Sequence, residues 1–171
     1  KSYQVIQKEC SGTLLEGMES LVADMVFGAL EAKLPTKVGT IVLANIPSSH
    51  MRAEVEFLYP IGPSFMKGFI DLIFEFEGKY FLLDWKTNAL ESDTEEALQK
   101  CMQEHRYDIQ ATIYALALEK YIALFDRRPF SECFGGAIYF FLREKKALIF
   151  DPNRTSVQDL QEAEDFLWMK G

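Results

Sequence analysis

Cysteine is scarce and scattered in this sequence. Cys10, Cys101 and Cys133 are the only three in 171 residues, and no two stand in C-x-x-C spacing. An odd, dispersed set argues against a disulfide framework and against a zinc site. Reduced thiols in a cytoplasmic protein are the simple expectation. Long hydrophobic runs are lacking too, so no bilayer span and no membrane partner are expected. No basic leader followed by a small-residue cleavage site opens the chain. It begins at Lys1 without Met, which reads as a piece of a larger polypeptide. Positive charge is also in deficit, the formal net charge being −8 at pH 7. That weighs against a free-standing nucleic-acid binder, which ordinarily carries a basic face. It does not exclude a phosphate-cutting enzyme. Carboxylates that hold a divalent ion are themselves negative, and a partner domain can supply the basic surface.

What is present is apolar material. About half the chain is hydrophobic, at 49%, with 14 Phe, enough for a sizeable core in one domain. Between residues 12 and 33, Leu14, Leu15, Met18, Leu21, Val22, Met25, Val26, Ala29 and Leu30 recur at three-and-four spacing, which predicts an amphipathic helix. Pro35 ends it. Ile41-Val42-Leu43 predicts a short edge strand. Strands are predicted at 53–59, 67–77 and 79–86, with Gly62-Pro63 and Gly78 between them. A helical pattern runs from about Thr94 to Phe125, with a break near Glu104. Two further strands, 136–142 and 146–150, precede a last amphipathic helix over 156–169. This order implies an α/β sandwich with a central mixed sheet flanked by helices.

The chemistry is concentrated in 67–88, KGFIDLIFEFEGKYFLLDWKTN. Asp71 stands among Phe69, Ile70, Leu72, Ile73 and Phe74, and Asp84 follows Tyr80-Phe81-Leu82-Leu83. A carboxylate in such surroundings is costly unless paired, protonated or bound to a metal. Strand alternation puts Asp84 and Lys86 on one face and Trp85 on the other. A two-residue turn at Glu77-Gly78 sets Asp71 opposite Asp84, and one at Gly78-Lys79 sets it opposite Lys86. Either brings all three groups to one face within about 8 Å, whereas a three-residue turn sends Asp71 to the wrong face. Two carboxylates and an ammonium suit phosphodiester hydrolysis assisted by a hard ion such as Mg²⁺. The bland alternatives are a surface Asp-x-Lys ion pair and a paired structural acid at Asp71.

Several blocks in register resemble one family. Gly68-Phe69-Ile70-Asp71, Leu83-Asp84-Trp85-Lys86-Thr87-Asn88, Tyr107-Asp108-Ile109-Gln110 with Tyr114, and the strand Phe134–Arg143 resemble the RecB-type nuclease domains, a branch of the PD-(D/E)xK nucleases. The similarity runs from roughly the first helix to the last. It implies a restriction-endonuclease-like fold and a Mg²⁺-dependent DNA-cutting site. Asp71, Asp84 and the backbone carbonyl of Trp85 would hold the metal, and Lys86 would be the catalytic lysine. Gln110 and Tyr114 match the family's Gln-x-x-x-Tyr motif. Independently, Tyr107, Gln110 and Tyr114 are spaced to share one helix face. For Tyr107 the preferred reading is a buried polar tip with an ordinary partner. Glu54 matches an acidic residue on the preceding strand, with Glu56 as the fallback, and either fits a solvated edge residue equally well. The family's metal-ligating His has no counterpart at His50 or His105, and is expected upstream of Lys1. Cys133 stands alone, so no iron–sulfur cluster is expected.

The resemblance further implies DNA as substrate, RecC-like and RecD-like subunits as partners, and a RecA-like recombinase as a further one. The competing expectation keeps the fold but not the chemistry, as a docking platform for such partners. The final helix and the exposed part of the 12–33 helix would then carry the contacts.

Overall fold

The computed structural model describes residues 2–61 and 64–150. Helix α1 (Ser2–Cys10) leads through turns to α2 (Glu19–Glu31). A two-stranded ribbon follows, β1 (Leu34–Thr36) with β2 (Gly39–Ile41). The central sheet is then built from β3 (Met51–Ile61), β4 (Ser64–Phe76) and β5 (Lys79–Lys86). Helices α3 (Glu95–Glu104), α4 (Tyr107–Ile122) and the short α5 (Phe130–Cys133) intervene before β6 (Phe134–Phe141) and β7 (Lys146–Phe150) complete it. The spatial order is β3-β4-β5-β6-β7. Among the described strands only the β5–β6 pair is parallel, because α3 and α4 form the crossover between them.

Two hydrophobic layers sandwich this mixed sheet. Leu98, Met102, Ile109 and Leu118 of α3 and α4 cover Ile73, Leu82, Tyr139 and Phe141 on one face. On the other, Ala29 of α2 and Leu34 and Ile41 of the ribbon cover Phe74, Phe81, Leu83 and Phe140. Helix α4 is buried at Ala111, Ala115 and Ala117, whose small side chains let it lie close to the strands. The predicted α/β sandwich is therefore the observed architecture.

The turn between β4 and β5 takes two residues. Glu77 and Gly78 both have positive φ, +49° and +69°, the conformation that matches the twist of a tight hairpin. Pairs Phe76↔Lys79 and Leu72↔Leu83 give the first of the two expected registers, which continues to Asp71 opposite Asp84. A second device lies in β3. Met51 packs with Phe74 in one layer, whereas Val55 and Phe57 pack with Ile70 in the other. Unbroken alternation would keep Met51 and Val55 on one face. The change of face falls at Glu54, whose φ is +50°. There the β3–β4 hairpin turns toward α4, where Phe57 meets Tyr114.

Two expectations need correction, and the expected break near Glu104 is met. Helix formation does not begin at residue 12. Gly12 and Gly17 take φ of +73° and +85°, and Thr13 and Glu16 bond neighbouring backbone, so 11–18 is a run of turns. Leu14 and Leu15 are exposed and do not belong to the core that their spacing suggested. The expected strand 41–43 is only Gly39–Ile41, outside the main sheet, and Leu43 sits in a short 3-10 turn. The 94–125 pattern is two helices, parted where Arg106 adopts a left-handed φ of +53°. The helix expected over 156–169 lies outside the described residues.

Candidate active site

Asp84 and Lys86 point from β5 toward α4, and they are the two buried charged side chains among the described residues, at 4% and 8% exposure. Their partners explain how that burial is tolerated. Lys86 Nζ lies 2.5 Å from Asp84 Oδ2 and donates to Gln110 Oε1 at 2.9 Å. The same ammonium sits 3.7 Å from the centre of the Tyr107 ring and 5.1 Å from that of Tyr139. A cation over an aromatic face is attracted by the ring quadrupole, more so when water is excluded.

Asp71 completes the face. Its Oδ2 accepts the Trp85 backbone N–H at 2.8 Å. The β4–β5 ladder ends at Leu72↔Leu83, so this bond replaces the ladder partner that Trp85 would otherwise need. Asp71 is close enough to Asp84 to disfavour its charge. The Asp84 carboxyl is held above the usual carboxylate range, chiefly by burial, with Lys86 opposing and Asp71 adding to the shift.

Gln110 is the hub of the surrounding network. Its amide donates to Tyr114 Oη at 2.9 Å, and its carbonyl also accepts from Tyr139 Oη at 3.3 Å. Burial pushes the Tyr114 phenol up to about 12 and that of Tyr139 well above its ordinary range. Both therefore stay neutral donors at physiological pH. Tyr107 donates to Asn88 Oδ1 at 3.1 Å. Asn88 Nδ2 contacts His105 Nε2 at 3.3 Å, and His105 Nδ1 contacts the Cys101 carbonyl at 3.0 Å. That carbonyl only accepts, so Nδ1 bears the proton and Nε2 accepts from Asn88.

The structure thus brings Asp71, Asp84, Lys86, Gln110 and Tyr114 to one place. Tyr107 has the ordinary partner expected of it, and in addition forms the floor beneath Lys86. Glu54 falls where the register of β3 would set it opposite Asp71, but its side chain is exposed and its backbone left-handed. Glu56 forms an exposed ion pair with Lys67 at 2.8 Å. Sequence reasoning passed over Tyr139 and the Asn88–His105 link. One signal for Tyr139 was available, a hydroxyl within the otherwise apolar strand GAIYFF. Its pairing with Asp84 across the parallel β5–β6 ladder becomes visible only with the sheet order.

This restriction-endonuclease-like sandwich, with Asp71 on one strand and Asp84-x-Lys86 on the next, agrees with the comparison to known families. The model of the PD-(D/E)XK nuclease superfamily matches residues 15–169, and the chain belongs to that superfamily. Within it, the chain is similar to the RecBCD enzyme subunit RecB of Escherichia coli (strain K12), with 40% identity over 121 residues, 66% of this chain and 10% of that protein. The RecB of Chlamydia muridarum (strain MoPn / Nigg) is 30% identical over 118 residues, 67% of this chain and 12% of its own length. That of Haemophilus influenzae (strain ATCC 51907 / DSM 11121 / KW20 / Rd) is 42% identical over 83 residues, 46% and 7% respectively. The chain spans about a tenth of the length of the curated relatives it matches.

Proposed function

We propose that residues 1–171 form a single RecB-like nuclease domain that hydrolyses DNA phosphodiester bonds as the exodeoxyribonuclease part of a cytoplasmic helicase–nuclease, with RecC-like and RecD-like subunits as partners. The observation that carries the proposal is the convergence of Asp71, Asp84 and Lys86 beneath α4. The donor set suits Mg²⁺. Buried Asp84 is paired with the one ammonium and half-buried Asp71 lies near Asp84, leaving an excess negative charge that a hard cation would balance. Among the described residues no group of three or more His, Cys, Asp or Glu side chains is placed to hold a metal. Two are enough for Mg²⁺, which ordinarily keeps water or phosphate oxygens as its other ligands. Asp71 and Asp84 would hold it, with the Trp85 carbonyl as the third protein oxygen.

Once bound, the ion would polarise the scissile phosphate and lower the pKa of a nearby water. The chain's own groups do the rest. Lys86 presents a fixed ammonium to charge building on the phosphate, and its position is preset by Gln110 and Tyr107 rather than found during reaction. Tyr114 and Tyr139 hold Gln110 in place without adding an anion that would repel substrate.

The decisive experiment compares wild type with Asp84→Ala in the domain joined to the rest of its polypeptide and partner subunits, on linear DNA with Mg²⁺. Wild type is expected to degrade the DNA and the variant to lose at least a hundredfold in rate, roughly the effect of removing one key electrostatic group. Equal degradation by both ends this reading of the site.

A docking role for the same fold is favoured by one observation of its own. Leu14, Leu15 and Met18 are exposed on the segment leading into α2, and Leu21 is exposed on its first turn. Apolar side chains gathered on a surface mark protein–protein contact. This surface lies outside the Asp71–Lys86 face, so docking to partner subunits or a RecA-like recombinase is compatible with catalysis.

A further inference from the structure

Resting on the reading of the Asp71–Asp84–Lys86 face as a DNA-cutting site, we propose that the neighbouring cavity between the β3–β4 hairpin and the start of α4 is a nucleobase pocket. It receives one unpaired base of the strand whose phosphate lies at Lys86. The cavity is about 270 Å³, with walls of Phe57, Met66, Ile109 and Ile113. Its size is at the lower edge of small-molecule pockets, suited to one planar ring system and too small for a base pair.

Three features make it a base site rather than a packing gap. The first is its platform. Phe57 pairs across the hairpin with Gly68, and a Cβ on Gly68 would come within 2.5 Å of the Phe57 ring. Glycine there lets the ring lie across the neighbouring strand, where it meets Tyr114 edge-on at 5.6 Å and 77°. The second is continuity with the cutting site. Gln110 and Tyr107 line the cavity and are also the groups that contact Lys86. A sugar joining a phosphate at Lys86 to a base in the cavity would pass directly by them. The third is charge. Lys67 stands at the rim with its side chain 57% exposed and its ammonium 2.8 Å from Glu56, an exposed pair that the phosphate of an entering strand would compete for.

Stacking on aromatic and apolar walls tolerates any base, since every base has a π face. A base within a duplex must first leave its stack and its partner, at a cost of a few kcal/mol. The pocket therefore favours a separated strand without reading its sequence.

The test uses the full helicase–nuclease complex and single-stranded oligonucleotides carrying one abasic site at successive positions around a scissile bond. Wild type is expected to cut about 5- to 150-fold more slowly when the abasic site falls at one particular position, the range set by stacking on one aromatic wall. Met66→Trp, which fills the cavity from the half-buried hairpin, should slow the intact strand to a similar degree and erase the positional effect. Its thermal unfolding should match wild type. An active wild type indifferent to abasic sites at every position overturns the pocket and leaves the cutting site standing. A second readout does not require cutting. A single 2-aminopurine moved along a short strand should be quenched at one position with Asp84→Ala protein, and not with Asp84→Ala combined with Met66→Trp. Uniform fluorescence at all positions rejects the pocket even if the cutting site itself proves inactive.

Discussion

Lys86 is a charge in an almost dry place, and its contacts decide what it can do. Two of its three donors are directed to Asp84 and Gln110, and the Tyr107 ring lies 3.7 Å from the ammonium. The phenol oxygen of Tyr107 is occupied elsewhere, with Asn88. Ring and hydroxyl therefore have separable roles. Tyr107→Phe keeps the ring under the ammonium and should hold kcat on DNA within about twofold of wild type. Tyr107→Leu removes a cation–π contact worth about 0.5–2 kcal/mol, and kcat should fall roughly 2- to 30-fold. Steady-state kinetics of both variants in the assembled enzyme, with the rescue by Phe as the criterion, check this. Equal losses in the two would assign the effect to the hydrogen bond with Asn88 and not to the ring.

At the scale of elements, the β4–β5 hairpin determines whether the site exists. A two-residue turn sets Asp71 opposite Asp84, and a one-residue slip would turn every side chain of β4 to the other face. Gly78 suits its left-handed conformation, but Glu77 adopts one at some cost. Asn tolerates that region better than Glu and makes the Asn-Gly pair favoured in such turns. Glu77→Asn should therefore raise stability by about 0.5–1 kcal/mol, read as a higher urea midpoint at unchanged slope, with nuclease activity unaltered. A lower midpoint would mean that Glu77 makes a compensating contact. This hairpin also shows what was legible in the sequence. Alternation and Gly78 left two registers with a two-residue turn, both of which gathered Asp71, Asp84 and Lys86 because local spacing governs which side chains share a face, and a three-residue turn that would not. The positive φ of Glu77 and Gly78 decides between them. The Gln110–Tyr114 pair was legible for the same reason on a helix. The change of face at Glu54 was not, since a single backbone angle within a strand leaves no periodic trace. Tyr139 was missed because its neighbourhood depends on a parallel pairing 55 residues away in sequence, Asp84 with Tyr139. The 12–33 helix was overextended because apolar spacing persisted through residues that Gly12 and Gly17 fold into turns.

Taken whole, the molecule carries two surfaces that conflict with life as an isolated body in solution. Its net charge of −8 opposes a polyanion at long range, so under the proposed function the steering of DNA to the Asp71–Lys86 face would fall to basic surfaces on partner domains. The apolar residues Leu14, Leu15, Met18 and Leu21 stand exposed, Leu14 completely. Each would gain by leaving water at about 25 cal/mol per Å² of apolar area. Both features make sense if this segment is a seat for a neighbouring part of a larger assembly. Replacing Leu14, Leu15 and Leu21 together by Gln should then have two opposite effects. The isolated chain should become more monodisperse in sedimentation velocity, with its unfolding midpoint little changed, because none of the three side chains is in the core. Association with the remaining subunits should weaken by at least tenfold, about 1.4 kcal/mol of lost contact, while the rate of DNA cutting within fully assembled complexes stays the same. Wild-type affinity in the triple variant would show that the seat lies elsewhere on the domain.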